Sequence, residues 1–159
     1  MKLTHTFAPV GDNESQILIL GTFPSVKSRA EGFYYGNLQN RFWRILAAVF
    51  DEAVPQTTTD KESLLLRNKV ALWDVAAMCD IDGSSDASIK SVVPNDINGL
   101  LTGSRISKIY ANGRTAEKLY LKHVRPVTEM DIIALPSTSA ANASMSFEKL
   151  SALWKVIRQ

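Results

Sequence analysis

Four short apolar runs, at 17–20, 70–73, 106–111 and 132–135, set the strongest limit on how this chain can fold. Each has the length and the β-branched or aromatic content of a strand. None alternates cleanly between apolar and polar positions, so each is expected to be buried on both faces. The segments between them carry helical spacing instead. Phe42, Ile45, Leu46, Val49 and Phe50 recur at three and four, which predicts an amphipathic helix over 40–50. Further helices are expected over 64–66, 97–101, 115–121 and 147–157, the last with Phe147, Leu150, Trp154 and Ile157 on one stripe. Strands alternating with helices point to an α/β fold: a three-layer α/β/α sandwich around a central, mostly parallel four-stranded sheet. The 159 residues suit one well-cored domain. No repeat, low-complexity tract or Pro-, Gly- or Ser-rich linker divides them, so a single domain over 1–159 is expected.

Composition removes several function classes. Cys79 is the only cysteine, which leaves no intramolecular disulfide, and His5 and His123 are the only histidines, with no zinc-site spacing. No apolar run is long enough to cross a bilayer and the first residues lack a signal-peptide core, so an intracellular (cytoplasmic), metal-free protein is expected. The net charge of +2 announces no partner. Its distribution says more: residues 51–100 hold four Lys/Arg against nine Asp/Glu, and residues 101–159 hold nine against four. A basic end of this kind fits a phosphate backbone, and it fits ordinary solvated helix faces equally well.

The fold class says where to look for a site, because parallel sheets bind ligands beyond the carboxyl ends of their strands. After the four predicted strands come Gly21-Thr22-Phe23-Pro24-Ser25, Asp74-Val75-Ala76-Ala77, Asn112-Gly113-Arg114-Thr115 and Pro136-Ser137-Thr138-Ser139. Three of these are turns built from Gly, Pro or hydroxyl residues. There is no G-x-S-x-G elbow, no P-loop and no G-x-G-x-x-G, and neither histidine pairs by position with a nucleophile. Acyl transfer and P-loop nucleotide hydrolysis are therefore poorly supported. The convergent side chains are neutral, Asp74 excepted, which suits an uncharged heterocycle read through its hydrogen-bonding edge and stacked on an aromatic ring.

Three blocks carry a resemblance: GTFPS at 21–25, GFYYGNLQNRFW at 32–43 and PSTSAANA at 136–143. Together and in this order they resemble the hypoxanthine-DNA (deoxyinosine) glycosylase branch of the uracil-DNA glycosylase superfamily, and the middle block is also similar to mismatch-specific members. The resemblance implies hydrolysis of the N-glycosidic bond of a deaminated base in DNA, with no cofactor. It implies that Asn40 is catalytic, acting on water through its carbonyl oxygen, and that Tyr35 stacks on the flipped base. Asn112 matches an amide that reads the base edge, Phe23 and Ser25 belong to the base-binding first block, and Pro136, Ser137, Thr138, Ser139 and Asn142 belong to a loop that grips DNA. Two departures set the chain apart from uracil-directed branches: Phe23 stands where those place Asn or Asp, and Leu135 where they often place His or Asn. Asn37-Leu38 and Ala140 also depart from the branch's usual His-Pro and Pro.

Ordinary structural roles compete with each assignment. Asn40 stands where a helix begins and is a good N-cap. Tyr34 and Tyr35 fit loop aromatics packed on the sheet, and the sequence does not say which faces a pocket. Ser137, Thr138 and Ser139 are common turn formers, and Ser146 suits the cap of the last helix. Phe23 reads as pocket wall, Asp74 as structural, and Arg41 and Arg44 as a solvated helix face. The stretch 82–86 is too short for a calcium loop. The expectation is a monomeric glycosylase acting on DNA with hypoxanthine as first choice. Its alternatives are a uracil-, xanthine- or mismatch-directed enzyme and a catalytically silent nucleobase or DNA binder of the same fold.

Overall fold

A computed structural model describes residues 2–158. Strands β2 (Ile17–Gly21), β3 (Val70–Asp74), β6 (Lys108–Asn112) and β7 (Ile132–Leu135) form a wholly parallel sheet in the order β3-β2-β6-β7. These are the four apolar runs. Alternate residues of β2 explain why its run is unbroken. Ile17 and Ile19 enter a core with α2 (Phe42–Phe50), α3 (Thr58–Arg67) and α7 (Phe147–Trp154), while Leu18 and Leu20 enter a second core with α4 (Ile97–Thr102) and α5 (Arg114–His123). Both faces are covered, so both sets must be apolar. The result is the three-layer α/β/α sandwich.

The helices follow their stripes. In α2, Phe42, Ile45, Leu46 and Val49 are buried and the helix ends where Asp51 turns left-handed at φ 56°. The last helix closes at Trp154, and Ile157 is held in a short 3-10 turn (Lys155–Ile157). Ser146 caps α7, its hydroxyl accepting from the Lys149 N–H.

A second sheet carries no clear sequence signal. Strands β1 (Lys2–Thr4), β4 (Ala76–Asp82) and β5 (Ser85–Pro94) pair antiparallel in the order β1-β4-β5. Three register shifts interrupt the β4–β5 ladder, and each scrambles the two-residue period by which such strands are recognised. This sheet buries Ala76 and Cys79 with Phe23 in a third, small core, placing a wall beside the loop that follows β2.

Register then fixes the site. Gly21 pairs with Asp74, and Asn112 with Leu135, so all four carboxyl ends stop at one edge. The chain leaves β2 toward β3 on one side, while β6 lies on the other. That reversal opens a crevice between Gly21 and Asn112.

Candidate functional site

The crevice is a cavity of about 410 Å³ lined by residues 21–25, Ser28, Tyr34, Tyr35, Asn37, Asn40, Asp74, residues 84–87 at the start of β5, Asn112 and residues 137–141. It gathers Asn40, Tyr35, Phe23, Ser25, Ser137, Thr138 and Ser139 from all three sequence blocks, and Asn112 from the end of β6. Pro136 and Asn142 fall outside it and line an adjoining cavity of about 580 Å³ together with Gly113 and Arg114.

The N-R-F-W block at 40–43 joins the loops into one unit. Asn40 Oδ1 accepts from the Phe42 N–H at 2.9 Å and from the Thr138 hydroxyl at 2.8 Å. A backbone N–H can only donate, which fixes the amide orientation: oxygen toward the helix, NH2 away from it. Asn40 thus helps to start the helix, and both oxygen lone pairs are taken. Its NH2 makes no hydrogen bond among the described residues and is not sealed from the cavity. The anticipated water-guiding carbonyl is therefore occupied, and the free groups of Asn40 are donors.

Arg41 is not a solvated residue. Its guanidinium donates to the carbonyls of Met145 (2.6 Å), Asn142 (3.0 Å) and Ser139 (3.4 Å), stapling the 136–145 loop to the start of α2. Arg44 does remain at the surface, donating to the Leu38 carbonyl. We expect Arg41→Ala to lower stability by about 1–3 kcal/mol through the carbonyls it abandons. Thermal unfolding checks the loss, with faster proteolysis confined to 136–145.

Phe42, fully buried, stacks on Tyr35 with centroids 4.1 Å apart and rings 19° from parallel, and meets Trp154 edge-on. Trp43 donates to the Tyr34 carbonyl and stacks on Phe33, while Trp154 donates to the Pro136 carbonyl at 2.9 Å.

The two tyrosines separate cleanly. Tyr34 donates to the Ala8 carbonyl at 2.8 Å and packs among His5, Phe7 and Phe33. Tyr35 lies with one face on Phe42 and its hydroxyl over Gly21, where an added Cβ would come within 2.9 Å of it. Tyr35 holds φ 52°, a left-handed conformation costing a bulky residue roughly 1–2 kcal/mol. Such strain persists only where surroundings impose it, here the stack and a bond from Asn112. Burial first, and then the Asp74 charge, push both phenols far above the ordinary tyrosine range, so both stay neutral.

Asn112 is committed inside the protein. Its NH2 donates to the Tyr35 hydroxyl and to Thr138 Oγ1, each at 3.0 Å, and its oxygen accepts from the Thr138 N–H at 3.0 Å. Both donors expected to read a base are taken, and the residue instead locks Tyr35 to the 136–142 loop. Ser25 caps α1 (Val26–Glu31), accepting from the Ser28 N–H. Ser137 and Ser139 accept from the N–H groups of Ser139 and Ala141, the turn role open to them from sequence, and Asn142 donates to the Ser137 carbonyl. Phe23 is wall, its ring under the Arg29 guanidinium.

Sequence reasoning missed a pair at the cavity floor. His5, drawn in by β1 and by its N–H bond to the Ala77 carbonyl, places Nε2 at 2.9 Å from Asp74 Oδ2, both side chains almost wholly buried. The partners are 69 positions apart and share no motif, so nothing local could have revealed them. Asp86, on the β4–β5 hairpin, accepts from the Thr22 hydroxyl at 2.8 Å, and its carboxyl is pushed up by burial and by the Asp74 charge against the lowering effect of that bond.

No group of three or more His, Cys, Asp or Glu among the described residues is placed to hold a metal ion, and no helix among them is long and apolar enough to cross a membrane.

A family model described as the uracil DNA glycosylase superfamily matches residues 8–158. The chain is 33% identical over 153 residues to a protein of Methanosarcina acetivorans named hypoxanthine DNA glycosylase, covering 95% of each. It is 30% identical over 145 residues to one of the same name from Methanosarcina barkeri, covering 90% of this chain and 91% of that one. The solution NMR structure of a candidate uracil DNA glycosylase from Methanosarcina acetivorans superposes with a TM-score of 0.81 at 30% identity, over the full length of both chains.

Proposed function

The chain belongs to the uracil DNA glycosylase superfamily, and from that premise we propose that it removes a deaminated base from DNA by hydrolysis, hypoxanthine first. The observation that carries the reading is the cavity itself: a crevice lined mainly by neutral groups, with Asp74 and Asp86 as its two carboxylates, in which Tyr35 presents a ring backed by Phe42 while the NH2 of Asn40 stays unpaired.

The chemistry is as follows. The damaged nucleotide leaves the stack at a cost of a few kcal/mol, less where it is mispaired. Stacking on Tyr35 offsets roughly 1–3 kcal/mol of that. The bond between C1′ and the base nitrogen breaks, its electron pair going to the base; water oxygen bonds to C1′ and releases a proton to solvent. Negative charge grows on the departing base, and donors already aimed into the cavity stabilise it without reorganising. The Asn40 NH2 supplies such donors. No lysine lines the cavity among the described residues, in keeping with water as nucleophile and an abasic site as product. The loop carrying Pro136, Ser137 and Asn142 lies beside Arg114 at an α5 N-terminus that no side chain caps, a surface suited to DNA phosphate.

Cleavage of labelled oligonucleotides carrying one deoxyinosine, deoxyuridine or deoxyxanthosine, followed by alkali, tests the reading. Strand scission fastest at deoxyinosine is expected. Folded protein that binds the lesion strands and cleaves none identifies a silent binder; preference for deoxyuridine identifies a uracil-directed enzyme.

A further inference from the structure

Resting on the glycosylase reading, we infer that Asp74, held by His5, is the residue that tells hypoxanthine and uracil from the adenine and cytosine they derive from. Three observations carry the inference. Asp74 lines the cavity and is only 4% exposed. A carboxylate accepts and does not donate, so His5 Nε2–H is the donor in their 2.9 Å bond, which pins Oδ2 and the rotamer. Oδ1 makes no hydrogen bond among the described residues and is not a sealed atom; it sits at the end of β3 against Gly21, where an added Cβ would collide with it.

The Asn40 oxygen and the Asn112 amide are committed. Both Asn40 Oδ1 lone pairs are taken, and Asn112 is tied to Tyr35 and Thr138. A fixed acceptor with no donor of its own therefore faces the base. Deamination makes the matching change in the ligand. Adenine and cytosine present a ring nitrogen lone pair beside an amino group; their deamination products, hypoxanthine and uracil, present a ring N–H beside a carbonyl. The carboxylate attracts the N–H and repels the lone pair, so at that ring position one oxygen accepts hypoxanthine or uracil and rejects adenine or cytosine; guanine and thymine, which carry a ring N–H beside a carbonyl themselves, are not distinguished by it. A buried acceptor that must be matched discriminates far more sharply than pocket shape does. The remaining carboxylate at the cavity, Asp86, reaches it from the β4–β5 hairpin and has Oδ1 engaged by Thr22.

The test uses the full chain and two cleavage-resistant 2′-fluoro-arabino oligonucleotides. One carries inosine and the other nebularine, the same purine ring lacking N1–H and O6. Read by fluorescence anisotropy, wild type is expected to bind the inosine strand about 10- to 100-fold more tightly. In Asp74→Asn, which keeps the shape but presents an amide able to donate, that ratio is expected to fall to a few-fold. His5→Leu leaves the carboxylate in place without its anchor and gives an intermediate ratio; it carries the test where Asp74→Asn does not fold. An unchanged ratio in folded Asp74→Asn, or a ratio lost instead in Asp86→Asn, overturns the inference. Wild type that cleaves deoxyinosine yet binds both strands alike overturns it while the glycosylase reading stands. Wild type that cleaves no lesion removes both.

Discussion

Asn40→Ala is expected to slow single-turnover cleavage of deoxyinosine by about 10²- to 10³-fold, the scale seen when one preorganised donor is removed from a charge-stabilising site. The alanine also leaves the Phe42 N–H and the Thr138 hydroxyl without their acceptor, so a stability loss of roughly 1–2 kcal/mol should accompany it. Asn40→Asp separates the two consequences. A carboxylate accepts both bonds that the amide oxygen accepts, which preserves the start of α2 and the Thr138 link, but it replaces the free NH2 with an oxygen. If the NH2 is the working group, Asn40→Asp is as slow as Asn40→Ala while melting near wild type. If Asn40 instead acts as an acceptor for water, Asn40→Asp retains most of the rate, and the donor role assigned here is wrong.

What was legible in the sequence depended on distance along the chain. The four strands of the parallel sheet were readable because burial on both faces forces an unbroken apolar run, as in Ile17 to Leu20. The site's address followed, since carboxyl ends of parallel strands share an edge. The β4–β5 hairpin stayed hidden because its register shifts erase the two-residue period. Arg41 illustrates a second limit. Its position on a helix suggests solvent, and only the fold brings the carbonyls of residues 139, 142 and 145 to its guanidinium, about a hundred positions away. The same holds for His5 and Asp74. The blocks matched by resemblance meet at one cavity, whereas which atoms of Asn40 and Asn112 remain free depends on a network that spans residues 35 to 138.

Phe42→Ala is expected to be the most damaging change to the fold and to disable the site at the same time. Phe42 is fully buried in the core between α2 and α7, against Trp154 and Trp43 as well as Tyr35. Deleting such a ring costs about 3–5 kcal/mol, and for a chain of this size each kcal/mol lowers Tm by roughly 2–4 °C, so a drop on the order of 10 °C should appear in calorimetry. The functional loss should exceed what unfolding explains. Tyr35 occupies a left-handed conformation that its stack on Phe42 and its bond from Asn112 hold in place; with the stack gone, the strain is released by letting the ring leave the cavity. At a temperature where Phe42→Ala is still folded, deoxyinosine cleavage should therefore fall by at least about tenfold, the energy of one base–aromatic contact. Phe42→Leu refills most of the volume without supplying a flat face, and should recover stability more fully than activity. Equal recovery of both would mean that Phe42 serves the core alone and that Tyr35 keeps its place without it.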